Sequence, residues 1–394
     1  MRIAYVCADP GVPVFGQKGC SVHVQEVMAA MAARGARVEL FAARFGGEPF
    51  AIEHIGCHQL ARLPKGDVGA RERAALAANS ALHSSLCRAG PFDIVYERHA
   101  LWSFAAMEYA ANAGTPALLE VNSPLLVEQA EYRALVDRRG ARVAVERAFA
   151  AATALLAVSE ELANYLNEFT TARGRVHVVP NGVNPHRFPL GLVQSHPALH
   201  GEFTVGFIGT LKPWHGLSQL VEAFAQLHQK DRAARMLIVG DGPERASLAE
   251  DVSRRGLDDM VQFVGAVAPD QVPRLLASMD VAVAPYPDFP HFYFSPLKVY
   301  EYLAAGLPVV ASRIGQVAEV IEDGVNGLLY NPGDTGGLVG ALERLRREPS
   351  LRTRLGQAGR SRVMRHHTWD RVIQRIFQLA ERGSTCQPVA EVSR

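Results

Sequence analysis

Lys298 and Glu301 stand three residues apart in the segment FYFSPLKVYEYLAAGLPVVAS, which runs from Phe292 to Ser312. Residues at this spacing share one face of a helix. An ammonium group near a helix start can bind a phosphate, and a carboxylate on the same face can accept a hydrogen bond from a hydroxyl group. The pair therefore predicts a phosphate contact at Lys298 and a hydroxyl contact at Glu301. A weak, solvated surface ion pair is the alternative.

Local signals around this pair define the start and the end of a helix. Ser295 is a good N-cap residue, Pro296 suits the first helical position, and Gly306 suits the position after the last turn. We therefore predict a helix from about Pro296 to Ala305. Lys298 then lies in the first turn, where unpaired N–H groups and the helix dipole already create a positive potential. A lysine is favourable there when an anion accompanies it.

The overall charge gives no reason to expect a nucleic acid or an anionic surface as a partner. The chain has 394 residues, with 41 Lys and Arg against 40 Asp and Glu, and a formal net charge of +1. Any anion must therefore be bound locally. Lysine is rare, and the five lysines are Lys18, Lys65, Lys212, Lys230 and Lys298.

The five cysteines are scattered, odd in number and without a Cys-x-x-Cys pair. This pattern argues against a disulfide framework and against a zinc site. The sequence shows no signal peptide and no apolar run of 18 residues. We expect a cytoplasmic protein that is soluble or peripheral to the inner face of the membrane.

Short apolar runs alternate with longer helical patterns along nearly the whole chain, which is typical of parallel sheets built from β–α–β units. The runs begin at Ile3, Val38, Asp93, Pro116, Ala154 and Val176 in the first half, and at Thr204, Arg235, Val261, Val281 and Pro308 in the second. A linker is predicted from Asn184 to Phe203, which contains three prolines and two glycines. We therefore predict an α/β fold with two doubly wound domains, residues 1–190 and 200–366, and ligand sites at the carboxyl ends of their strands.

The end of the chain carries a further helical pattern. Residues 367–383 are predicted to form a helix with an apolar stripe that needs a partner. The stripe consists of Val372, Ile373, Ile376, Phe377 and Leu379. The remaining residues, 384–394, are expected to form a disordered tail.

Five spaced motifs resemble those of the retaining glycosyltransferases of the GT-B fold, family 4. They are VVPNGVN with Phe188, VGFIGTLKPWHGL from Val205, VGDGPER from Val239, VQFVGAV from Val261, and the segment that contains Lys298 and Glu301. The resemblance implies two Rossmann-like domains that face each other across a cleft, with a nucleotide-sugar donor held mainly by the C-terminal domain. It also implies that the helix at 367–383 returns to the N-terminal domain.

The loop after Gly209 departs from the family pattern. Gly209 ends a predicted strand, where a missing side chain lets the backbone approach a phosphate. The family has an arginine directly after this glycine and a lysine before the next one, whereas this chain has Thr210 and His215, with Lys212 between them. We expect Lys212 to supply one charge, Thr210 a hydroxyl and His215 a proton-dependent donor, so that phosphate binding weakens as the pH rises. A surface loop without ligand contacts is the alternative.

Two other segments complete the donor site that the resemblance implies. Gly240, Asp241 and Gly242 form a loop expected beside the base and the ribose, with an ordinary β–α connection as the alternative. Glu301 matches the second glutamate of the family's Glu-x7-Glu pattern and is expected to accept hydrogen bonds from the ribose, but Tyr293 stands at the place of the first. Contacts to the transferred sugar must therefore differ. The expected donor contacts near the helix start are Tyr293, Ser295, Pro296, Leu297 and Lys298.

The loop after the first strand contains Gly11, Gly16 and Gly19, which do not form the G-x-G-x-x-G pattern. No acidic residue follows the second strand, so a dinucleotide site is not predicted. The resemblance makes this the loop that closes on the donor phosphates, with Gly19 as its main contact. His23, one helical turn further on, is a candidate catalytic residue, and a structural histidine is the alternative.

The acceptor side is expected where the segments YERH and LEVNSP leave their strands. Many relatives have a histidine in the second loop, where this chain has Glu120 and Asn122, and we take both as candidate catalytic residues. A buried Glu120 would need a partner such as Arg98. We expect Arg98 and His99 to orient the acceptor. A purely structural ion pair between Glu120 and Arg98 is the alternative.

A helical segment beyond these loops is rich in arginine. Arg133 at its start is a further acceptor-side candidate. The segment could meet an anionic membrane or a phosphorylated lipid acceptor, with a solvated face as the alternative. Its arginines are Arg133, Arg138, Arg139, Arg142 and Arg147.

These expectations together imply a retaining glycosyltransferase that moves a sugar from a nucleotide-sugar donor to a hydroxyl of a glycan, a lipid-linked saccharide or a small molecule. No Asp-x-Asp occurs in the chain, so Lys298, Lys212 and helix-end amides are expected to neutralise the diphosphate without a metal or another cofactor. We expect same-face attack, with double displacement through Glu120 as the alternative. The alternative functions are a sugar-nucleotide epimerase and a non-catalytic nucleotide-sugar-binding subunit, and a dehydrogenase is disfavoured.

Overall fold

The computed structural model describes residues 1–47, 55–191 and 203–385. The chain forms two compact units. The N-terminal unit comprises Met1–Pro180 and the segment that begins at Trp369, and the C-terminal unit comprises Asn181–Thr368. Each unit is a parallel sheet flanked by helices.

Seven strands form the sheet of the N-terminal unit. They are β1 (Arg2–Cys7), β2 (Arg37–Ala42), β3 (Gly56–Gln59), β4 (Ile94–Arg98), β5 (Ala117–Val121), β6 (Ala154–Ala157) and β7 (Val176–Val178). The connecting helices are α1 (Gly19–Ala33), α2 (Val68–Ala89), α3 (Ala105–Asn112), α4 (Leu125–Tyr132), α5 (Arg138–Ala151) and α6 (Glu160–Asn167). The strand order is β3-β2-β1-β4-β5-β6-β7, and all neighbours are parallel.

Six strands form the sheet of the C-terminal unit. They are β8 (Phe203–Ile208), β9 (Ala234–Val239), β10 (Val261–Gly265), β11 (Val281–Ala284), β12 (Val309–Ser312) and β13 (Leu328–Tyr330). The helices are α7 (Leu217–Lys230), α8 (Arg245–Arg254), α9 (Val272–Leu276), α10 (Leu297–Ala304), α11 (Gly315–Val320), α12 (Thr335–Arg347) and α13 (Pro349–His366). The order is β10-β9-β8-β11-β12-β13, again all parallel.

Both sheets reverse their strand order at one point, between β1 and β4 and between β8 and β11. Open parallel sheets bind ligands outside the carboxyl ends of the strands at such a point. Every apolar run predicted from the sequence is a strand. The sequence missed β3, an edge strand whose residues alternate between half-buried and exposed, and β13, which has only three residues.

The chain enters the C-terminal unit after Pro180, earlier than the predicted boundary at residue 190. The reason is that the first part of the predicted linker packs in this unit. Val183 and Phe188 are buried in its core, and Arg360 donates a hydrogen bond to the Phe188 carbonyl at 2.8 Å. Phe203 opens β8, and residues 192–202 of the predicted linker lie outside the described residues.

The last helix, α14 (Trp369–Thr385), belongs to the N-terminal unit, where it packs on α1 and β6. Ile373 and Ile376 of its apolar stripe are buried, together with Trp369. The helix includes the first two residues of the segment predicted to be a disordered tail, because the helical pattern continues past residue 383. Residues 386–394 lie outside the described residues.

Helix α10 begins one residue later than predicted, at Leu297. The prediction of Ser295 as its N-cap was wrong, because Pro296 takes that position without a side-chain cap. The Ser295 hydroxyl instead accepts the backbone N–H of Asn181 at 3.3 Å. The serine therefore ties the start of the C-terminal unit to the loop before α10.

The end of α10 follows the prediction. Gly306 has a φ of 78°, in the left-handed region that glycine adopts without strain. The N–H groups of Gly306 and Leu307 donate to the carbonyls of Leu303 and Tyr302 at 3.0 and 3.2 Å. This pair of bonds is the Schellman arrangement, which satisfies the last carbonyls of the helix.

The hydroxyl of Tyr302 joins α10 to the end of β8. The side chain is fully buried, and its hydroxyl accepts the N–H of Ile208 at 2.8 Å and donates to the Ile208 carbonyl at 3.1 Å. Strand β11 is in register with β8 only at Val205 and Gly206. The Tyr302 hydroxyl thus bonds the N–H and the carbonyl of Ile208, which β11 does not reach. It thereby holds the backbone directly before Gly209.

Replacing Tyr302 with phenylalanine keeps the ring and leaves a buried N–H and a buried carbonyl without a partner. We expect the free energy of unfolding to fall by roughly 1–3 kcal/mol, measured by urea denaturation. Tyr132 is 77% exposed, and the same change there is a matched control that should stay within about 0.5 kcal/mol of the wild type. An unchanged unfolding midpoint for Tyr302→Phe would contradict a structural role of this hydroxyl.

Candidate functional site

The ammonium group of Lys298 is buried and has no hydrogen-bond partner in the described part of the chain. The residue as a whole is partly exposed, but Nζ is not. Nζ lies 4.5 Å from the centre of the Phe207 ring and 5.2 Å from that of Tyr286. Burial lowers the pKa of Lys298 to about 7. The two aromatic faces compensate the charge only in part, so the site favours an anion.

Gly209 borders this ammonium group. A Cβ atom at Gly209 would lie 3.2 Å from Nζ of Lys298, and its φ of 150° lies where other residues are strained. Gly240 and Gly242 have a different purpose, because Cβ atoms there would collide with the carbonyl oxygens of Gly209 and Leu211. These two glycines let neighbouring loops pack backbone against backbone. Gly209 is therefore the glycine that leaves space beside the charge.

His215 lies near Lys298 but is not the proton-dependent donor predicted from the sequence. Its Nδ1 is 2.5 Å from the carbonyl oxygen of Thr210, so Nδ1 carries the proton. Burial and repulsion from Lys298 lower the pKa of His215 to about 3. The ring is therefore neutral at physiological pH, and its Nε2 is a hydrogen-bond acceptor. His215 does not replace a phosphate-binding lysine, because both its burial and Lys298 oppose a second charge.

The start of α10 presents backbone amides beside Lys298. The N–H of Leu297 donates to the Ser295 carbonyl at 2.9 Å, and the N–H of Val299 to the Pro296 carbonyl at 2.9 Å. The described structure gives the N–H of Lys298 no backbone partner. The amide and the ammonium of one residue are thus both available to an anion.

The other predicted donor residues surround the same strand ends. Thr210 is exposed, and Nζ of Lys212 lies 5.3 Å from the centre of the Trp214 ring. The carboxylate of Asp241 accepts the N–H of Gly242 at 2.7 Å. The Tyr293 ring packs against that of Phe294 with centroids 4.5 Å apart. Contacts of these residues with a donor stay predictions.

Arg187, which sequence reasoning did not single out, holds Glu301. Its Nη1 donates to Oε1 of Glu301 at 2.9 Å, and its Nη2 donates to the Pro269 carbonyl at 2.9 Å. Burial raises the pKa of Glu301, and the charge of Arg187 opposes that rise. The signal in the sequence was the arginine directly before Phe188, within the first family motif.

The structure brings several predicted residues of the N-terminal unit together. Oε1 of Glu120 lies 2.7 Å from Nε2 of His23, and Oε2 lies 3.6 Å from Nη1 of Arg98. Burial raises the pKa of Glu120, but His23 and Arg98 outweigh burial and lower it to about 2. Asn122 also lowers the pKa of Glu120, although its Nδ2 makes no hydrogen bond of standard geometry. Glu120 is therefore an ionised carboxylate held from two sides.

Further polar groups surround this carboxylate. Buried atoms near it without a hydrogen-bond partner of standard geometry in the described structure include the hydroxyls of Tyr5 and Tyr96, Nη1 of Arg98 and Oε2 of Glu120 itself. Such atoms are rare in proteins, and a concentration of them suits a polar ligand or bound water. We name this group the Glu120 cluster. Sequence reasoning missed Tyr5 as a member, because nothing local marks a residue of β1 as a neighbour of Glu120 in β5.

Trp369 closes one side of the Glu120 cluster. Its ring stands edge-on to His23 with centroids 5.0 Å apart. The same helix is anchored by Asp370, which accepts a hydrogen bond from Arg34 at 2.8 Å. The last helix therefore shields the cluster as well as covering the apolar surface predicted for it.

Three other predicted residues of this unit lie elsewhere. His99 is buried with its ring 5.5 Å from that of Phe149, and burial lowers its pKa to about 4. Neither ring nitrogen of His99 has a hydrogen-bond partner in the described structure, and its role toward the acceptor stays a prediction. Arg133 is exposed at the edge of a cavity. Gly19 is the first residue of α1, with no atom within 4 Å of a Cβ placed there.

The arginine-rich segment is partly engaged within the protein. Arg147 donates to Glu108 at 2.7 Å and lies 3.6 Å above the Phe104 ring, and Arg142 donates to Glu146 at 2.9 Å. None of the helices in the described ranges has the length and apolar character needed to cross a bilayer. A membrane contact of this segment stays a prediction.

Metal-ligating side chains do not converge in the part of the chain that the structure describes. No group of three or more His, Cys, Asp or Glu side chains there could hold a metal ion. The cysteines of the described ranges are unpaired thiols.

Two family models match the chain over most of its length. One, described as glycosyltransferase family 4, matches residues 18–187, and the other, described as glycosyl transferases group 1, matches residues 202–348. The chain is a group 1 glycosyltransferase of the GT-B fold. The matched ranges include strands β2 to β13, Glu120 and the surroundings of Lys298.

Relatives and solved structures agree with this assignment. The glycosyltransferase is 29% identical over 312 residues to an MMP alpha-(1->4)-mannosyltransferase of Mycolicibacterium hassiacum, covering 75% of this chain and 72% of the relative. Its fold is similar to that of a sucrose-phosphate synthase of Thermosynechococcus elongatus, with a TM-score of 0.73, 22% identity and coverage of 98% and 100%. It is also similar to Anabaena HepE in complex with UDP and glucose, with a TM-score of 0.72, 20% identity and coverage of 97% and 100%.

The Arg187–Glu301 pair predicts a specific effect on hydroxyl recognition. We expect Arg187→Gln to weaken the binding of a ribonucleoside diphosphate roughly tenfold, because Glu301 loses the charge that opposes its protonation. Isothermal titration calorimetry measures the loss. The same substitution should change the affinity for the matching 2′,3′-dideoxynucleotide little, because that ligand has no ribose hydroxyl to present.

Arg313→Gln is a matched control, since Arg313 forms a 2.8 Å ion pair with Asp323 in the same unit. It should leave both affinities unchanged. An equal loss for the ribose and dideoxyribose ligands would show that Arg187 supports the fold of the site and not the recognition of hydroxyl groups.

Proposed function

We propose that this glycosyltransferase takes its sugar from a nucleotide-diphosphate donor and transfers it with retention of configuration. The donor diphosphate binds at Lys298 and the start of α10, and the acceptor hydroxyl binds at the Glu120 cluster. The observation that carries the proposal is the buried ammonium of Lys298, which has no hydrogen-bond partner in the described structure and lies next to Gly209. The UDP in complex with HepE accords with such a donor.

The chemistry requires stabilisation of a departing diphosphate. The bond between the anomeric carbon and the β-phosphate oxygen breaks, and both electrons of that bond stay on the oxygen. The acceptor oxygen forms the new bond on the same face of the sugar, and its proton passes to the departing phosphate. A buried cation stabilises the negative charge most strongly as it develops, because little water screens the interaction.

Glu120 suits the positioning of an acceptor better than nucleophilic attack. Its Oε1 is bonded to His23, and a carboxylate with a pKa of about 2 is a weak nucleophile. Oε2 has no hydrogen-bond partner in the described structure and can accept a hydrogen bond from an acceptor hydroxyl. These contacts favour same-face attack over double displacement through Glu120.

Metal independence is part of the proposal. Lys298 supplies an ammonium and an amide at one place, while the described residues contain no cluster of metal-ligating side chains. A lysine and helix-end amides can stabilise the negative charge of a diphosphate, as a divalent cation does in other enzymes. Donor binding and turnover should therefore persist in excess EDTA.

Lys298→Met tests the donor site. A panel of nucleotide sugars is screened for thermal stabilisation, and at least one donor should raise the melting temperature of the wild type and not that of the variant.

The pH dependence of donor binding is a further test. Above pH 7, Lys298 of the unliganded protein loses its proton and must regain it when the donor binds. The wild-type Kd should therefore be flat below pH 7 and rise by up to about tenfold per pH unit above it.

The unliganded stability of Lys298→Met serves as the folding control. The folded pKa of Lys298 is about 7 and the ordinary value is 10.5, so the lysine destabilises the fold fully below pH 7 and progressively less up to pH 10.5. At pH 6 the free energy of unfolding of the variant should exceed that of the wild type, and this difference should shrink by about 1.4 kcal/mol per pH unit above pH 7. The proposal fails if no donor stabilises the wild type, or if the folded variant binds donors as well as the wild type does.

Glu120→Gln tests the acceptor side. We expect kcat to fall roughly 10- to 100-fold, because a charge-assisted hydrogen bond to the acceptor is lost, while the donor Kd is unchanged. Glu108→Gln, which breaks an exposed 2.7 Å pair with Arg147 in the same unit, should leave both values unchanged. A mass increase of one sugar on wild-type Glu120 after incubation with donor alone would instead support double displacement.

A further inference from the structure

Three polar residues at the end of β4 are buried and lie outside the Glu120 cluster. They are Glu97, His99 and Ser103. Successive residues of a strand face opposite sides of the sheet, so Glu97 lies on the other face from Arg98. Both carboxylate oxygens of Glu97, both ring nitrogens of His99 and the Ser103 hydroxyl make no hydrogen bond of standard geometry in the described structure. Buried polar atoms of this kind are rare in proteins and indicate a ligand or bound water.

The carboxyl of Glu97 has no counter-charge. The residue is fully buried, and burial raises the pKa of its carboxyl to about 7. The Ser103 hydroxyl opposes that rise, and no charged side chain of the described residues, on β4 or on a neighbouring element, affects this pKa. His99 is neutral, because burial lowers its pKa to about 4. Ser103 is therefore the group placed to donate a hydrogen bond to Glu97 when the carboxyl is ionised.

The turn that carries Ser103 is held by Asn79 of α2. The side-chain nitrogen of Asn79 donates to the Trp102 carbonyl at 2.8 Å. Its side-chain oxygen accepts the N–H groups of Phe104 and Ala105 at 2.9 and 3.0 Å. The backbone on both sides of Ser103 is thus fixed, while the hydroxyl can rotate to suit its partner.

Ser103 also lines a cavity of about 290 Å³ beyond the carboxyl ends of β1, β2, β3 and β4. This volume is close to the lower end for small-molecule sites. Alanine and leucine side chains make up most of the lining. Of the described lining residues, Ser103 alone has a buried polar atom without a hydrogen bond of standard geometry.

The other polar lining residues have different tasks. Those that make hydrogen bonds within the protein are Asp9, Glu72, Asn79 and Gln129. Arg71 and Arg133 are exposed. The wall of the cavity is thus mainly apolar, and its buried part offers a hydrogen-bonding group at Ser103.

We infer that the part of the acceptor that enters this cavity is mainly apolar and carries a hydroxyl or amine group that donates a hydrogen bond to Ser103, and that Glu97 positions the Ser103 hydroxyl for this contact. The inference rests on the proposed function, since it names the class of acceptor. The cavity lies beyond the end of β4, and Glu120 lies near the carboxyl end of the neighbouring strand β5. The group recognised at Ser103 is therefore separate from the hydroxyl that reacts near Glu120.

The direction of the hydrogen bonds follows from the charge of Glu97. An ionised carboxylate only accepts hydrogen bonds, so it takes the hydrogen of the Ser103 hydroxyl. The Ser103 oxygen is then left to accept a hydrogen bond from the acceptor. A molecule without a donor at this position would leave the buried serine oxygen unpaired, which is the usual basis of strong discrimination by polar groups in a site.

Two matched probes test the contact with Ser103. 4-Ethylphenol is apolar apart from one hydroxyl donor, and in 4-ethylanisole a methyl group replaces the donor hydrogen. Their binding is measured by ligand-detected NMR at pH 8. We expect 4-ethylphenol to bind roughly tenfold more tightly than 4-ethylanisole. Ser103→Ala should remove this difference, whereas Ser84→Ala, at an exposed position of α2 outside the cavity, should keep it.

Two substitutions in α2 test whether the cavity is the binding site. Ala78→Leu fills the cavity and should abolish the binding of both probes. Ala77→Leu adds the same side chain at an exposed position of the same helix outside the cavity and should leave both affinities unchanged. Thermal unfolding of both variants shows whether each is folded.

Glu97→Gln tests the positioning role. Between pH 6 and pH 8 the wild-type affinity for 4-ethylphenol should rise roughly three- to tenfold as Glu97 ionises with a pKa of about 7. The affinity for 4-ethylanisole should stay flat. In Glu97→Gln the rise for 4-ethylphenol should disappear, which a residue that only fills space would not cause. At pH 8 the melting temperature of this variant should be no lower than that of the wild type, because a neutral amide avoids a buried charge.

The inference is overturned if neither probe binds, if Ala77→Leu and Ala78→Leu have equal effects, or if 4-ethylphenol keeps its advantage in Ser103→Ala. A pH dependence that persists in Glu97→Gln would reject the positioning role of Glu97. None of these results affects the proposed donor site. Conversely, a failed donor screen with retained probe binding at Ser103 would reject the proposed donor site and keep the cavity as a ligand site.

Discussion

The buried ammonium of Lys298, with no partner in the described structure, is the constraint around which the C-terminal unit is arranged. At the end of β8 the neighbouring strand β11 is no longer in register, and Tyr302 satisfies the backbone of Ile208 in its place. Gly209 then leaves room beside the charge, and His215 stays neutral because the lysine repels a second charge. The C-terminal unit thus contains a buried ammonium that destabilises the unliganded fold and that a bound anion would neutralise.

The first six strands of the N-terminal sheet have the same relative order as the six strands of the C-terminal sheet, but the buried charge of Glu120 is balanced within the N-terminal unit. Glu120 lies near the carboxyl end of β5, and His23 and Arg98 compensate its charge within the protein. A compensated carboxylate can orient a neutral hydroxyl without a counter-ion, whereas an uncompensated ammonium needs an anion. The two units therefore suit different partners, although the net charge of the chain is only +1.

Much of the architecture was predictable because parallel strands buried on both faces appear as continuous apolar runs. All five residues of β5 are buried, for example, and its run was evident. Strand β3 was missed because an edge strand has no such run. The start of α10 was displaced because Ser295 bonds to Asn181 rather than to the helix. A capping signal is recognised from neighbouring residues, so it gives no information about a hydrogen-bond partner from a distant segment of the chain.

Residues only a few positions apart were enough to predict the strand runs, the helix of Lys298 and Glu301, the glycine after β8 and the family motifs. The charge states and the pairings of these residues depend on how the chain folds. His23 and Glu120 are 97 residues apart in the chain, and Arg187 and Glu301 are 114 apart. The pKa values of Lys298 and His215 likewise depend on burial by several elements. Burial and long-range pairing are properties of the folded chain, so sequence spacing could name these residues but not their electrostatic roles.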